Sequence, residues 1–266
     1  MKLSRFNIVS LTLCFAFLYL PILVLVIYSF NASKLVTVWA GFSTRWYAKL
    51  FHDEAFLQAA FVTLKVALVS ASIATVLGTM AAWVLVRFSR FAGRTLFSGM
   101  IFAPLVIPDV ILGLSLLLLF IAMNIDRGVT TIIIAHATFS MCYVAVVVSS
   151  RLVTFDRALE EAALDLGATP FQAFSLVTLP VIAPAVVSGW LLSFTLSLDD
   201  LVIASFVSGP AATTLPMRVF SQIRLGVSPE INALSTILIT LVTIGVITTS
   251  ILSKRSALVR AGEAEG

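Results

Sequence analysis

Three aspartates stand where a lipid-facing chain tolerates them least: Asp109 in IPDVILG and the pair Asp199-Asp200 in LSLDDLVIA, all inside long apolar runs. A carboxylate near a bilayer centre costs about 2.5–3.5 kcal/mol on insertion scales, so it faces protein or water and marks a route for ions or charged solutes. No arginine or lysine lies at their level in the same runs, so a positively charged passenger is the natural partner. Pro104 and Pro108 precede Asp109 and can open its helix, exposing carbonyl oxygens that also suit a cation. Plainer roles are open to the same acids. Asp109 can cap the helix that follows Pro108, and one of the Asp199-Asp200 pair can bond hydroxyls such as Ser197. Successive residues on a helix point about 100° apart, so the pair is not expected to face one cavity together.

Other chemistry is not expected within the chain. No glycine is followed by lysine, which excludes a Walker A phosphate loop and leaves ATP to be handled by another protein. His52 stands beside Asp53 and Glu54 in a polar connection and reads as a solvated face, not as a metal ligand. His136, between Ala135 and Ala137, reads as a packed or hydrogen-bonded histidine. Ser115 with His136 is the nearest thing to an intramembrane protease dyad, but the glycine expected after such a serine is missing. Cys14 and Cys142 sit in apolar runs as small core residues, with no disulfide framework. No catalytic, cofactor-binding or metal residue is therefore expected.

The elements that position the acids follow from composition. Of 266 residues, 60% are hydrophobic and 11% charged, and the mean hydropathy of +1.09 exceeds what a soluble core needs. Lipid demands internally satisfied backbone, so an all-α polytopic membrane protein is expected. The net charge of +4 is scattered over short connections and is no nucleic-acid footprint. Six spans are expected at about residues 8–30, 59–86, 96–123, 129–150, 181–207 and 231–252, forming one transmembrane domain over 1–266. The first is too long for a signal-peptide core and is read as retained. One set of connections carries Lys2, Arg5, Arg87, Arg90, Arg94, Arg151, Arg157, Lys254, Arg255 and Arg260. These outnumber the basic residues of the opposite set, which places both termini in the cytosol. Counted at ~1.5 Å per residue from the cytosolic ends of their spans, Asp109 and Asp199 both lie roughly 20 Å in, at one level. On the outer side, Ser208-Gly209-Pro210 makes a turn, and Met217, Val219, Phe220 and Ile223 share rows with Arg218, Gln222 and Arg224 as a short amphipathic helix.

Between the fourth and fifth spans, residues 151–180 form a polar insert on the cytosolic side. Thr154 can cap a helix with Asp156 in its first turn, and Leu159, Ala162, Ala163 and Leu166 then share one face. Gly167 suits a left-handed C-terminal cap, and Thr169-Pro170 restarts a helix with a capping hydroxyl and proline at its first position. The two alanines leave the face nearly flat, so another surface can approach closely.

Glu161, Ala162, Ala163, then Gly167 after three residues, then Val177, Leu179 and Pro180 after nine more, resemble the EAA loop of permease subunits of binding-protein-dependent ABC importers. Valine stands where isoleucine is commoner. The resemblance widens through SFNASKLVTVWAGFSTRWY, APLVIPDVILGLSLLLLF and FTLSLDDLVIASFVSGPAATTLPMRVFSQIRLGVSPEINALSTI, which look like the polyamine branch, most of all its putrescine permeases. It implies a type I importer fold with six transmembrane helices and a cytosolic coupling loop in a bacterial inner membrane. It also implies a second homologous permease, two ATPase subunits that bind ATP and magnesium, and a periplasmic polyamine-binding protein. Glu161, Ala162, Ala163, Gly167 and Pro180 are then expected to serve ATPase coupling. Asp109 and Asp199, with Asp200 beside it, are expected in the substrate pathway. The alternatives are a permease of this core for another cationic or small solute, and an ion-coupled secondary transporter.

Overall fold

Long apolar stretches with few breakers give long helices, and the computed structural model describes residues 4–35, 38–88, 90–225, 229–240 and 243–244. The helices are α1 (Arg5–Ser29), α2 (Arg45–His52), α3 (Glu54–Arg87), α4 (Arg94–Phe102), α5 (Asp109–Ala122) and α6 (Val129–Val153), followed by α7 (Ala158–Asp165), α8 (Pro170–Ala173), α9 (Leu179–Asp199), α10 (Val202–Val207) and α11 (Leu215–Leu225). A 3-10 turn at Ala103–Leu105 follows α4, and a π-helical turn at Phe174–Thr178 joins α8 to α9. Residues 229–240 are also helical.

Among the described residues, four helical stretches are long and apolar enough to cross a membrane: Arg5–Ser29, Glu54–Arg87, Val129–Val153 and Pro170–Asp199. The bent pair Arg94–Leu105 and Asp109–Ala122 makes a fifth if it is one span. Residues 241–242 and 245–252 of the expected sixth span, and Gly226 and Ser228 before it, lie outside the described residues. Two compact units emerge, residues 1–56 with 219–266, and residues 57–218.

In the first unit, α1 is apolar on every side and only Ser29 is buried, the pattern of a helix solvated by lipid. Asn31 organises the loop after it. Its amide donates to Val38 O (2.7 Å), its side-chain oxygen accepts from Ser33 N and Ala40 N, and its carbonyl takes Trp46 Nε1–H at 2.7 Å. Lys49 pairs with Glu230, an exposed cation on a buried acid.

In the second unit α6 is the centre, with twelve buried residues spread around its surface. Small residues let its neighbours approach, as membrane helices require when lipid supplies no hydrophobic drive. A Cβ on Gly78 of α3 would lie 2.6 Å from Met141 O and 2.8 Å from Val144 Cβ, and one on Gly189 of α9 would lie 3.2 Å from Val144 Cγ1. Fully buried Val144 is thus held between two glycines. On α5, Gly113 does the same for α10, where an added Cβ would meet Phe206 Cδ2 at 2.8 Å.

Three expectations need correction. The third span is two segments bent by 114°, so a steady rise per residue does not measure the depth of Asp109. Pro104 falls in the 3-10 turn and Pro108 precedes α5, and each lacks the N–H that would carry the helix on. The fifth span does not run unbroken to 207. Helix begins at Pro170, because the π turn accommodates Pro180 without a donor for Leu176, and it stops at Asp199, with Asp200 extended before α10.

Candidate functional site

The acids occupy the two helix breaks. Asp109 is the first residue of α5, in its acidic first turn, where the helix dipole favours a negative charge. It is exposed and lies within electrostatic reach of Tyr143 on α6. Asp199 ends α9 and is exposed too. Asp200, the next residue, turns inward, and its side chain is 9% exposed. Its Oδ2 accepts from Ala204 N (2.8 Å) and its Oδ1 from Ile203 N (3.3 Å), capping α10.

Asp200 Oδ2 also meets His136 Nε2 at 3.1 Å. The imidazole is fully buried, and its Nδ1 lies 2.6 Å from Ser197 Oγ. Ser70 of α3 donates to Ser197 Oγ at 3.2 Å. An ionised carboxylate only accepts, so Nε2 carries the hydrogen and the row runs from Ser70 through Ser197 and His136 to Asp200. Four helices are tied by one chain of hydrogen bonds at the break. His136 is thus a hydrogen-bonded histidine, as its apolar setting implied, and Ser197 reaches the acid through the imidazole and not directly. Ser115, offered as a protease nucleophile, is exposed and donates to Ile111 O instead. Nearby, Trp190 stacks on Phe194 at 5.2 Å and donates to Ser72 Oγ.

The second feature is the elbow from Ala158 to Pro180. Thr154 closes α6 by donating to Arg151 O, so it does not cap α7; Asp156 does, accepting from Ala158 N at 3.0 Å. Gly167 has φ +90°, the left-handed conformation that favours glycine, and Ala168 N donates back to Ala163 O. Thr169 and Gln172 form a reciprocal capping box, with Pro170 at the first helical position. Glu161 and Ala162 are exposed and Ala163 half-buried, and Pro180 is exposed just beyond the π turn. Leu166 is 90% and Phe171 77% exposed, which puts bare apolar groups on both arms of the elbow. Met80, Trp83, Pro170, Phe171 and Phe174 line an apolar cavity of about 430 Å³ beside them.

Residues 74–257 match the family described as binding-protein-dependent transport system inner membrane component. The chain belongs to that family. The permease is 62% identical to the putrescine transport system permease protein PotI of Escherichia coli strain K12, over 89% of its own length and 86% of the relative's. It is 43% identical to the spermidine/putrescine transport system permease protein PotC of the same strain, over 92% of each chain. With PotC of Haemophilus influenzae it shares 46% over 85% and 88%. Its fold is that of a chain in a bacterial ABC transporter involved in the import of the acidic polysaccharide alginate, at TM-score 0.70 and 16% identity over 95% and 99%. The permease is a transport component of an ABC importer and not an enzyme, an inner membrane component that works with an ATPase and a binding protein. This favours the ATP-driven reading over an ion-coupled one.

Sequence reasoning found the break before Asp109 and the elbow but missed the break after Asp199, and the pairing of His136 with Asp200 and of Arg87 with Glu160. Neither pair is local. The one available signal was that a buried histidine and an acid with no other partner tend to find each other.

Proposed function

We propose that the chain is one of two homologous permease subunits that carry a polyamine, putrescine above all, across a bacterial inner membrane from a periplasmic binding protein to the cytosol, with both its termini cytosolic. The observation that carries the substrate is the 62% identity to a putrescine permease over most of both chains. The acids fit it. Asp109 and Asp199 are exposed carboxylates at breaks in two helices of one unit, and a diamine with separated ammonium groups suits separated carboxylates. Asp200 frames this site and does not bind the amine, since its oxygens are held by His136 and α10. Trp190 and Phe194 offer ring faces for cation–π contact along the route.

The drive comes from outside the chain. Glu161, Ala162, Ala163 and Gly167 present the elbow, with Leu166 and Phe171 as apolar contacts, to a groove on one of two ATPase subunits, which bind ATP and magnesium. Pro180 sits where the elbow becomes α9. The helix from Pro170 to Asp199 is continuous, so displacement of the elbow reaches Asp199 along one rod. The test is uptake of labelled putrescine into proteoliposomes holding the full complex and binding protein. Uptake must require ATP, persist without an ion gradient, and be competed by polyamines but not by anions. Uptake that collapses with the proton or sodium gradient would refute the proposal.

A further inference from the structure

Glu160 and Glu161 are neighbours in the first turn of α7, yet they face different ways. Glu161 is exposed. Glu160 turns back to form an ion pair with Arg87, the last residue of α3, and the two side chains are only 17% and 9% exposed. The Arg87 guanidinium also lies 5.2 Å over the ring of buried Phe155, in the connection that leads into α7. Arg157 Nη2 donates to Val86 O at 3.2 Å, and Arg94 Nη2 to Leu85 O at 3.2 Å, so guanidinium groups satisfy carbonyls left over at the end of α3. From the other arm of the elbow, Phe174 meets Trp83 edge to face at 5.5 Å. The final turn of α3 is therefore gripped by both arms.

The grip has a mechanical meaning because α3 has no covalent continuity with the elbow. α6 enters it through residues 154–157, and the other side runs unbroken into α9. α3 can follow the elbow only through side chains. Apolar contacts such as Trp83 on Phe174 resist compression but part readily. An ion pair withdrawn from water resists separation as well, since it is weakly screened and parting it leaves each charge half-buried without its partner. We propose that Arg87–Glu160 is the strut by which the elbow pulls α3, so that adjacent glutamates divide the work: Glu161 outward to the ATPase, Glu160 inward to the second span. The far reach of α3 carries Ser70, which ends the hydrogen-bond row on Asp200, so movement of α3 is felt at the acids.

This inference rests on the proposed ATP-driven import, and its test separates the two. Putrescine uptake and ATP hydrolysis are measured together in proteoliposomes containing the complete transporter and its binding protein. An unmodified complex that shows no ATP-driven putrescine uptake overturns the functional proposal before any variant is made. If that complex transports, Glu160→Gln and Arg87→Gln should each lower the amine moved per ATP by about fivefold or more while hydrolysis continues, the size of a typical coupling free energy. The exchanged pair Arg87→Glu with Glu160→Arg should recover most of that ratio, which a purely structural contribution of either residue would not allow. An unchanged ratio in Glu160→Gln, or an exchanged pair as uncoupled as the single variants, overturns the strut. So does failure of both single variants and the exchanged pair to assemble, because the pair would then be a folding element.

Discussion

Asp199 and Asp200 are identical in type and adjacent in sequence, and their replacement by alanine should have opposite consequences. Asp200→Ala removes the acceptor for His136 Nε2 at 3.1 Å and for the Ile203 and Ala204 N–H groups that begin α10. The fully buried imidazole is left with an N–H and no acceptor. Leaving a buried donor without its acceptor costs about 1–3 kcal/mol, and the lost helix cap adds roughly 1. For a chain of this size each kcal/mol shifts a melting temperature by about 2–4 °C, so the purified complex should melt roughly 10 °C lower. Asp199→Ala alters an exposed end of α9 and should stay within about 0.5 kcal/mol of the parent. Thermal melts of detergent-solubilised complex, followed by tryptophan fluorescence, provide the measurement. Adding His136→Ala to Asp200→Ala should cost much less than the sum of the single changes, with a coupling of at least about 1 kcal/mol. Equal melting of the two alanine variants, or strict additivity with His136→Ala, would refute the assignment of Asp200 to the frame of the break.

Other outcomes follow from the same geometry. Asp109→Asn and Asp199→Asn should each cut putrescine uptake at least tenfold while the complex assembles and its ATPase stays bound, read by uptake and co-purification; normal uptake in both would remove the acids from the pathway. Gly167→Ala meets no neighbouring atom but must hold φ +90°, so it should strain the elbow by about 1–2 kcal/mol and weaken ATPase co-purification. Gly78→Ala must displace Met141 O or Val144, and overpacking of that kind costs about 1–3 kcal/mol, seen as a lower melting temperature with α3 and α6 forced apart.

What could be read from the residues was local. Gly167, Thr169 and Pro170 act within a few positions of themselves, so spacing alone predicts the cap, the box and the restart. Pro104 and Pro108 announced a break, yet no residue states through what angle a chain leaves it, and the 114° bend removed the basis of the depth estimate. Thr154 had the right chemistry for a cap, but α6 runs long enough to claim it and Asp156 took the place. The end of α9 carried no proline or glycine. It stops because Asp200 finds His136 and the N–H groups of α10, a contact between distant parts of the chain that periodicity cannot express. The same holds for Glu160, whose partner Arg87 lies on another helix.

Val144, enclosed by Gly78 and Gly189, works like a cog tooth engaged with two racks at once. For α3 or α9 to slide lengthwise past α6, that isopropyl group would have to climb out of its notch over bulkier neighbours, and close-packed interiors do not yield in that way. Tilting about the same spot keeps the tooth seated. The trio is thereby predisposed to rock and not to glide, which makes a small displacement at one end of a long rod into a large one at the other.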